Sequence, residues 1–471
     1  MIEGSLNQMN PDDALESKAS RKIEEAINTV LQSFASSFDY IFPGKPARII
    51  RGEDLSKIWN DQKGTAGGRP KAVWDVGSKT IISFLYPGTL SAAPIAGCGI
   101  SMPFEVDQND LHFARSFSKV FNEDFARCPN KLETQELWRT LRSTQFLRAI
   151  ARMSGFDSVD ASAWIQSMES SMTLTYEGNP VHHTLVFFKK SGAAIERLKK
   201  WYVPFRDSIS VQQTLLGEKW IRAVVDGTRV ALLGSKFRRG VVRGMISFSG
   251  LNASASNHIA PHESLRVLRA ILGSSDMALV ASAQGDLFVL LGSGATFQKN
   301  QGRWRYLNYS AILTHLSLLL PADLASAILR AALDLAFERK GALFCVLNRV
   351  KDIRNIIADH RMADQVNGTL RESLRGLSMV NEEQRQVITA AAGTDGATIL
   401  TSGGRIVDIA CMIKTPSQEK LSSVGLDHLR TFPGSRSTAA WNASLFGVVV
   451  KISEDGPISI WKAGKEIARV G

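Results

Sequence analysis

The sequence feature that most constrains the fold is an order of predicted elements that occurs twice. Each time, an apolar run predicts a buried strand and a polar helical stretch follows. An Asp-Gly pair with a hairpin, a short helix and two alternating strands come next. The second occurrence begins with GALFCVL at 341–347, and the first with HTLVFFKK at 183–190. Matching order and spacing predict an internal duplication, although such units also arise by chance.

Two pairs of residues and one pair of helical stretches correspond between the copies. Asp226 matches Asp395, and Arg266 matches Arg436. The helical stretch is predicted for 194–221 in the first copy and 351–392 in the second.

The alternation of helical and strand patterns places the chain in the α/β (α+β) class. A length of 471 residues allows about two to four domains. We predict a leader with an N-terminal helix, an N-terminal α/β region of unknown role, the first copy and the second copy, at residues 1–36, 37–156, 165–300 and 320–471.

Charge and composition favour a globular protein with an anionic partner. The formal net charge is +11, which suits a nucleotide, a nucleic acid or an acidic surface. No dense run of Lys and Arg and no basic stripe interleaved with aromatic residues occurs, so nucleic acid is not the expected partner.

The four cysteines are far apart and form no C-x-x-C pair. This spacing argues against a zinc site and against a secreted disulfide framework. Cys345 and Cys411 lie in apolar runs and are expected to be buried thiols. The N-terminus is too polar for a signal peptide, and the longest apolar stretch is interrupted by His315 and Pro321. We therefore expect a cytoplasmic protein without a membrane span.

The stretch GTDGATILTSGGRIVDIACMI, 393–413, places an acidic residue before two small ones and an apolar run. A carboxylate at the mouth of a strand can reach a divalent metal ion or a hydroxyl, and Gly396 and Ala397 leave room for a ligand. Asp395 is thus a candidate metal ligand and catalytic residue, and Gly396 and Ala397 are candidate nucleotide-binding residues. Asp-Gly is also an ordinary turn dipeptide, so a surface hairpin stays open as the alternative.

The stretch PGSRSTAA, 433–440, stands before a short helical run. Backbone amides at a helix start, hydroxyl groups and a guanidinium can together hold a phosphate. The candidate nucleotide-binding residues here are Gly434, Ser435, Arg436, Ser437 and Thr438. The alternative is that a Ser or Thr side chain simply caps the helix.

The stretch ISEDGPISI, 452–460, offers Glu454 or Asp455 as a second metal-binding carboxylate. The alternative, which this stretch favours when taken alone, is a hairpin turn formed by Asp-Gly-Pro between two strand patterns.

Taken in order, these segments resemble the diadenylate cyclase domain, the nucleotide-condensing module of the DNA-integrity scanning protein and related bacterial cyclases. That family shows a Gly-Ala-Leu strand, a D-G-A motif, an R-H-R motif followed by small residues, and a Ser-Glu before a last hairpin. The corresponding segments here are GALFCVL, Asp395 to Ala397, Arg436 to Ala440, and Ser453-Glu454. The resemblance covers about residues 325–468.

The resemblance implies tandem mixed twisted sheets flanked by helices, if both copies share the family fold. Active members condense two ATP molecules to cyclic di-AMP with Mg2+ or Mn2+ across a face-to-face homodimer. It further implies that Asp395 binds metal and helps to activate a ribose hydroxyl, and that the R-H-R segment holds phosphates. Of the two further carboxylates, we take Glu454 as the second candidate metal ligand.

The chain departs from the family at two of the three R-H-R positions, where it has Ser437 and Thr438. Replacing a guanidinium by a hydroxyl removes a bidentate, permanently charged partner. The loss of such a donor costs on the order of a hundredfold in rate. Arg266 stands between two apolar residues, so the first copy is expected to be structural or a dimerisation mimic.

Three hypotheses follow from the sequence. The first is a sensor of ATP or a cyclic dinucleotide in bacterial signalling or anti-phage conflict systems, homodimeric and coupled to an effector protein. The second is an active diadenylate cyclase with Mg2+ or Mn2+, in which Asp395 is catalytic. The third is a structural interaction protein whose two copies are scaffolds.

Overall fold

The computed structural model describes residues 24–25, 27–39, 42, 46–63, 69–86, 93–102, 105–127, 135–180, 182–225, 229–235, 240–248, 258–358 and 371–471. The chain divides into two compact units, 1–162 and 163–471. The predicted mixture of helices and strands is confirmed in both units.

The first unit contains a four-stranded antiparallel sheet of order β1-β4-β3-β2. A helix lies at 27–39, and its Phe34 stacks on Phe117 and packs at a tilt against Phe121 of a later helix. The elements in chain order are α1 at 27–39, β1 Arg48–Ile50, α2 Gly52–Lys63, β2 Ala72–Asp75, β3 Thr80–Leu85, β4 Ala96–Ser101, α3 Gln108–Arg127 and α4 Gln135–Met153.

The second unit contains two larger sheets. The elements up to the end of the first large sheet are α5 Ser158–Ser171, β5 Thr175–Tyr176, β6 Asn179–Pro180, β7 His183–Phe187, α6 Ser191–Leu198, β8 Tyr202–Ser210, α7 Val211–Leu216, α8 Ile221–Val224, β9 Val230–Ser235, β10 Val241–Ser247, α9 Arg266–Ile271, β11 Met277–Ala281, β12 Leu287–Leu291, β13 Thr296–Asn300 and β14 Arg303–Tyr306.

The remaining elements build the helices between the sheets and the second large sheet. They are α10 Tyr309–Leu319, α11 Ala322–Phe337, β15 Ala342–Leu347, α12 Ile353–Ile356, α13 at 371–374, α14 Glu382–Ala392, β16 Ala397–Leu400, β17 Ile406–Cys411, α15 Gln418–Ser423, α16 Ser435–Ser444, β18 Gly447–Ile452, β19 Ile458–Lys462 and β20 Lys465–Val470.

The two large sheets have the same strand order over six corresponding strands. The second has the order β17-β16-β15-β18-β19-β20, and the first contains β10-β9-β7-β11-β12-β13 in the same sequence. Strand β15 pairs parallel with β16 and antiparallel with β18, and β7 correspondingly pairs parallel with β9 and antiparallel with β11. The first sheet adds β8 and β14 at its two ends. This shared order is what a duplicated chain is expected to produce.

The prediction of a helical stretch over 194–221 is wrong in its middle. The chain leaves α6 and forms strand β8 before helix α7 begins at Val211. Pro204 explains the break, because proline lacks an amide donor and clashes with the preceding helical turn. In the second copy, α12 and α14 occupy parts of 351–392, and residues 359–370 lie outside the described part of the chain.

Strand β15 is buried on both faces, and its side chains alternate between two clusters. Ala342, Phe344 and Val346 join a core that includes α10, α11 and residues of the first large sheet. Leu343 and Cys345 join a smaller cluster with Trp441 and other residues of α16. Because side chains alternate along a strand, odd-numbered positions of β15 face α16. This alternation decides what α16 can touch.

The described cysteines confirm the predicted burial of Cys345 and Cys411. Burial raises the pKa of Cys411 to about 12, with the Asp408 carboxylate adding to the effect. Of the helices described, not one combines the length and the apolar character that crossing a bilayer demands.

Candidate functional site

Three strand ends bring the predicted motifs together. Leu343 of β15 pairs with Ala397 of β16 and with Lys451 of β18. Gly341 and Asp395 lie two residues before Leu343 and Ala397, and Ser453 lies two residues after Lys451. All three therefore lie at the same end of the sheet, where neighbouring strands are about 5 Å apart. The residues at this end are Gly341, Asp395, Ser453 and Glu454.

The guanidinium of Arg436 lies over this end of the sheet. Arg436 is the second residue of α16, and its Nη1 donates to Oε1 of Glu454 at 2.6 Å. A methyl group added at Gly341 would lie 2.2 Å from the same Nη1, so any other residue there would require the guanidinium to shift. The Arg436 side chain is 35% exposed and that of Glu454 is 62% exposed. A ligand in solution can therefore reach both groups.

Asp395 is exposed two residues before β16, and its Oδ1 accepts from the amide of Gly396 at 3.1 Å. Gly396 has a φ of +101° and lies so close to Ala410 that an added Cβ would fall 2.5 Å from its carbonyl carbon. Ala397 is buried beneath α16. Gly396 and Ala397 thus fix the backbone that carries the Asp395 carboxylate.

The start of α16 is not capped by a hydroxyl group. Its N-cap residue is Gly434, with a φ of +91° and no side chain to offer. The Thr438 Oγ1 accepts from the amide of Phe432 at 3.0 Å and so closes the preceding loop. Ser435 is the first helical residue and is exposed. The alternative of a Ser or Thr cap is therefore not what the structure has.

Ser437 contacts a residue that the sequence reasoning missed. The Nζ of Lys451 donates to the Ser437 Oγ at 3.0 Å. Lys451 lies in the central strand β18 and is only 6% exposed. Burial lowers the pKa of Lys451, as does the nearby Arg469 guanidinium, while Glu466 opposes the shift. The signal in the sequence was a single lysine inside the apolar run GVVVKI.

The two carboxylates predicted to hold a metal ion differ in their surroundings. Glu454 is paired with Arg436, whereas among the described residues Asp395 bonds only to the amide of Gly396. The stretch that carries Glu454 is also the predicted hairpin, closed by Gly456 donating to the Ser453 carbonyl at 2.9 Å. Within the described residues, no group of three or more His, Cys, Asp or Glu side chains gathers as metal ligands. Mg2+ commonly needs only one or two carboxylates when phosphates supply further ligands.

The first copy places its corresponding arginine differently. Arg266 begins α9, is 5% exposed, and donates from Nη2 to Oδ2 of Asp334 on α11 at 3.4 Å. Its acidic counterpart Asp226 falls outside the described residues. The guanidinium that could receive a ligand in this copy is therefore occupied by a carboxylate of the same chain.

Comparison with known proteins assigns no family to the chain. A scan against protein-family models gives no match, and a search of the curated proteins gives none either. The likeness to the diadenylate cyclase domain therefore rests on two observations: the motifs themselves, and their position together at one end of the second large sheet.

Proposed function

We propose that the second copy, residues 320–471, binds a nucleotide such as ATP or a cyclic dinucleotide and serves as a sensor built on a degenerate diadenylate cyclase domain. One observation carries this proposal. The guanidinium of Arg436 lies against Gly341, at the end of the sheet where Asp395 and Glu454 also lie. A cation and acidic groups around an accessible strand end suit a phosphate with or without a divalent metal ion.

Binding without turnover fits the residues around Arg436. Phosphoryl transfer depends on positioning and on neutralising negative charge that spreads in the transition state. Thr438 stands where the family has a second arginine, and its hydroxyl is engaged by the Phe432 amide. A hydroxyl that closes a loop cannot replace a bidentate guanidinium. The site therefore retains groups for holding an anion but has fewer for catalysis.

The sensor role extends this proposal to the rest of the chain. The first unit, 1–162, has a sheet and an aromatic core of its own, which suits a part that passes a signal to an effector. We place the protein in the cytoplasm, as a homodimer in bacterial signalling or anti-phage defence.

Isothermal titration of the full chain with ATP and with cyclic di-AMP tests the proposal. We expect binding by the wild type and at least about tenfold weaker binding by Arg436→Gln, which is about 1.4 kcal/mol. The matched control is Arg303→Gln, which removes the same charge from an exposed position on β14. Absence of binding to every nucleotide, or equal losses in both variants, would contradict the proposal.

The second candidate is an active cyclase, favoured by the exposed carboxylate of Asp395. Incubation with ATP and Mn2+ followed by chromatography distinguishes the two. A cyclic dinucleotide that disappears in Asp395→Asn would establish the enzyme. If thermal stability does not change with any nucleotide, the scaffold hypothesis is favoured, because a ligand that binds only the folded state raises stability.

A further inference from the structure

We propose that Lys451 binds the anionic group of the ligand at this site and supplies the positive charge that the chain lacks at Thr438. This inference rests on the proposed nucleotide site and names the chemical class of its ligand. That ligand carries a diphosphate or triphosphate group, held between Lys451 and Arg436.

The burial of Lys451 is the first argument. Lysine is almost never fully buried unless it is paired, and an ammonium taken out of water without a counter-ion is costly. Among the described residues, no carboxylate lies within 4 Å of Nζ, and its hydrogen bond goes to the neutral Ser437 hydroxyl. Glu466 acts on Lys451 only from farther away, and it is itself paired with Arg469. An ammonium has three donors. A bound anion would compensate the charge and use the remaining donors.

The position of Lys451 relative to Arg436 is the second argument. Lys451 pairs with Leu343, while the Arg436 guanidinium lies over Gly341. Two residues along a strand span about 7 Å, a distance that consecutive phosphate groups bridge. Ser437 belongs to the first turn of the ten-residue helix α16 and bonds to Lys451. Helix starts of this kind favour anions.

The first copy provides an internal comparison. Its strand β11, which corresponds to β18, reads MALVA and contains no basic residue. There, Arg266 is paired with the internal carboxylate of Asp334. The buried lysine thus occurs in the copy whose arginine is accessible, and is missing in the copy whose arginine is already occupied. A purely structural lysine would not need this association.

The charges at the site select the ligand class. Glu454 already neutralises part of the Arg436 charge, so a neutral nucleoside would leave the Lys451 ammonium uncompensated. A group with two or more negative charges can compensate Lys451 and compete with Glu454 for the guanidinium. We therefore expect affinity to follow the order ATP, ADP, adenosine.

Titration calorimetry on the full chain tests this inference, with ATP, ADP, adenosine and inorganic pyrophosphate as probes. Each is measured with EDTA and again with Mg2+. The variants are Lys451→Met, Lys451→Arg and the charge-matched control Lys465→Met, whose lysine is exposed at the start of β20. Thermal melts of each variant check that it folds.

We expect Lys451→Met to weaken ATP and pyrophosphate binding by at least about tenfold, while Lys451→Arg retains most of it and Lys465→Met all of it. Undiminished ATP binding by Lys451→Met would overturn the inference and leave the proposed function intact. Pyrophosphate binding that depends on Lys451, without binding of ATP, ADP or cyclic di-AMP, would support the inference and contradict the proposed function. If the wild type binds none of the probes, the inference is wrong, and the titration with cyclic di-AMP decides the proposed function. If Lys451→Met does not fold, Lys451→Arg decides, and loss of binding in that folded variant would count against a charge role.

Discussion

The guanidinium of Arg436 lies directly against the backbone of Gly341, where any side chain would displace it. The two residues are far apart in sequence and meet because α16 crosses the face of the sheet to which the odd-numbered positions of β15 point. Gly341, the first residue of the Gly-Ala-Leu segment, is therefore needed for its small size. It makes space for the cation that, in our proposal, receives a phosphate.

We predict that Gly341→Ala displaces the Arg436 side chain and weakens ATP binding by about tenfold or more. The added Cβ would stand 2.2 Å from Nη1, so the guanidinium must move. Titration calorimetry measures the affinity, and a thermal melt checks the fold.

The control for this substitution is Gly403→Ala. Its added Cβ would meet only the Thr401 Oγ1, at 3.7 Å, and Gly403 is exposed at the opposite end of β16. This variant should bind ATP like the wild type. Equal affinities for both variants would mean that the contact between Arg436 and Gly341 does not serve binding.

Glu454 offers a second prediction, because it is a competitor for Arg436 in our proposal and a metal ligand in the cyclase hypothesis. Glu454→Gln frees the guanidinium, so ATP binding in EDTA should strengthen several-fold. The exposed pair contributes at most about 1 kcal/mol, and the melting temperature should change little. Calorimetry in EDTA and in Mn2+ separates the roles. Weaker binding that occurs only with Mn2+ would identify Glu454 as a metal ligand instead.

The strands around the site could be predicted from the sequence, but several of its contacts could not. Apolar runs and Asp-Gly turns located β15, β16 and the last hairpin. The pairing of Arg436 with Glu454 depends on strand register, which brings together segments that are 18 residues apart. Similarly, the bond between Thr438 and Phe432 depends on the path of one loop.

The sequence also misled in two places. Strand β8 was hidden because its neighbours have helical spacing and only Pro204 marks the break. Lys451 was overlooked because the apolar run around it predicts only a buried strand. The run does not indicate which group would compensate a charge at that position. In both cases a single residue of a type unusual for its neighbours, Pro204 or Lys451, was the signal that the pattern around it did not give.

A third prediction concerns the backbone beside Asp395. In Gly396→Ala, the alanine would have to adopt a φ of +101°, and its Cβ would collide with the Ala410 backbone. We expect the free energy of unfolding to fall by about 3 kcal/mol. Gly425→Ala is the matched variant, since it has a φ of +73° and no atom within 4 Å of the added Cβ. It should lose only about 1 kcal/mol. Urea denaturation measures both, and equal losses would exclude the collision with Ala410.

A fourth prediction links Lys451 to pH. Burial lowers the pKa of Lys451 below its ordinary value of 10.5. The unfolded chain therefore binds more protons than the folded chain over the interval between the two values, so stability should rise with pH there. Lys451→Met removes this contribution, and we expect the variant to be the more stable protein at neutral pH without ligand. Urea denaturation of both proteins from pH 7 to about pH 10 tests this. A wild type that is more stable than the variant at every pH would mean that the ammonium is well compensated without an anion.

The last prediction tests whether the first copy is structural. Arg266→Met leaves the Asp334 carboxylate buried without its partner, which typically costs about 3 to 5 kcal/mol. Burial already raises the pKa of Asp334, against the effect of Arg266. The double variant Arg266→Met with Asp334→Asn keeps an oxygen for the Glu263 amide, which donates to Asp334 Oδ1 at 2.7 Å, and should recover most of the loss. Urea denaturation measures the free energy of unfolding of the wild type, the single variant and the double variant. ATP affinity should stay unchanged in every folded variant because Arg436 lies in the other copy. A tenfold loss of affinity in the double variant would instead give the first copy a part in binding.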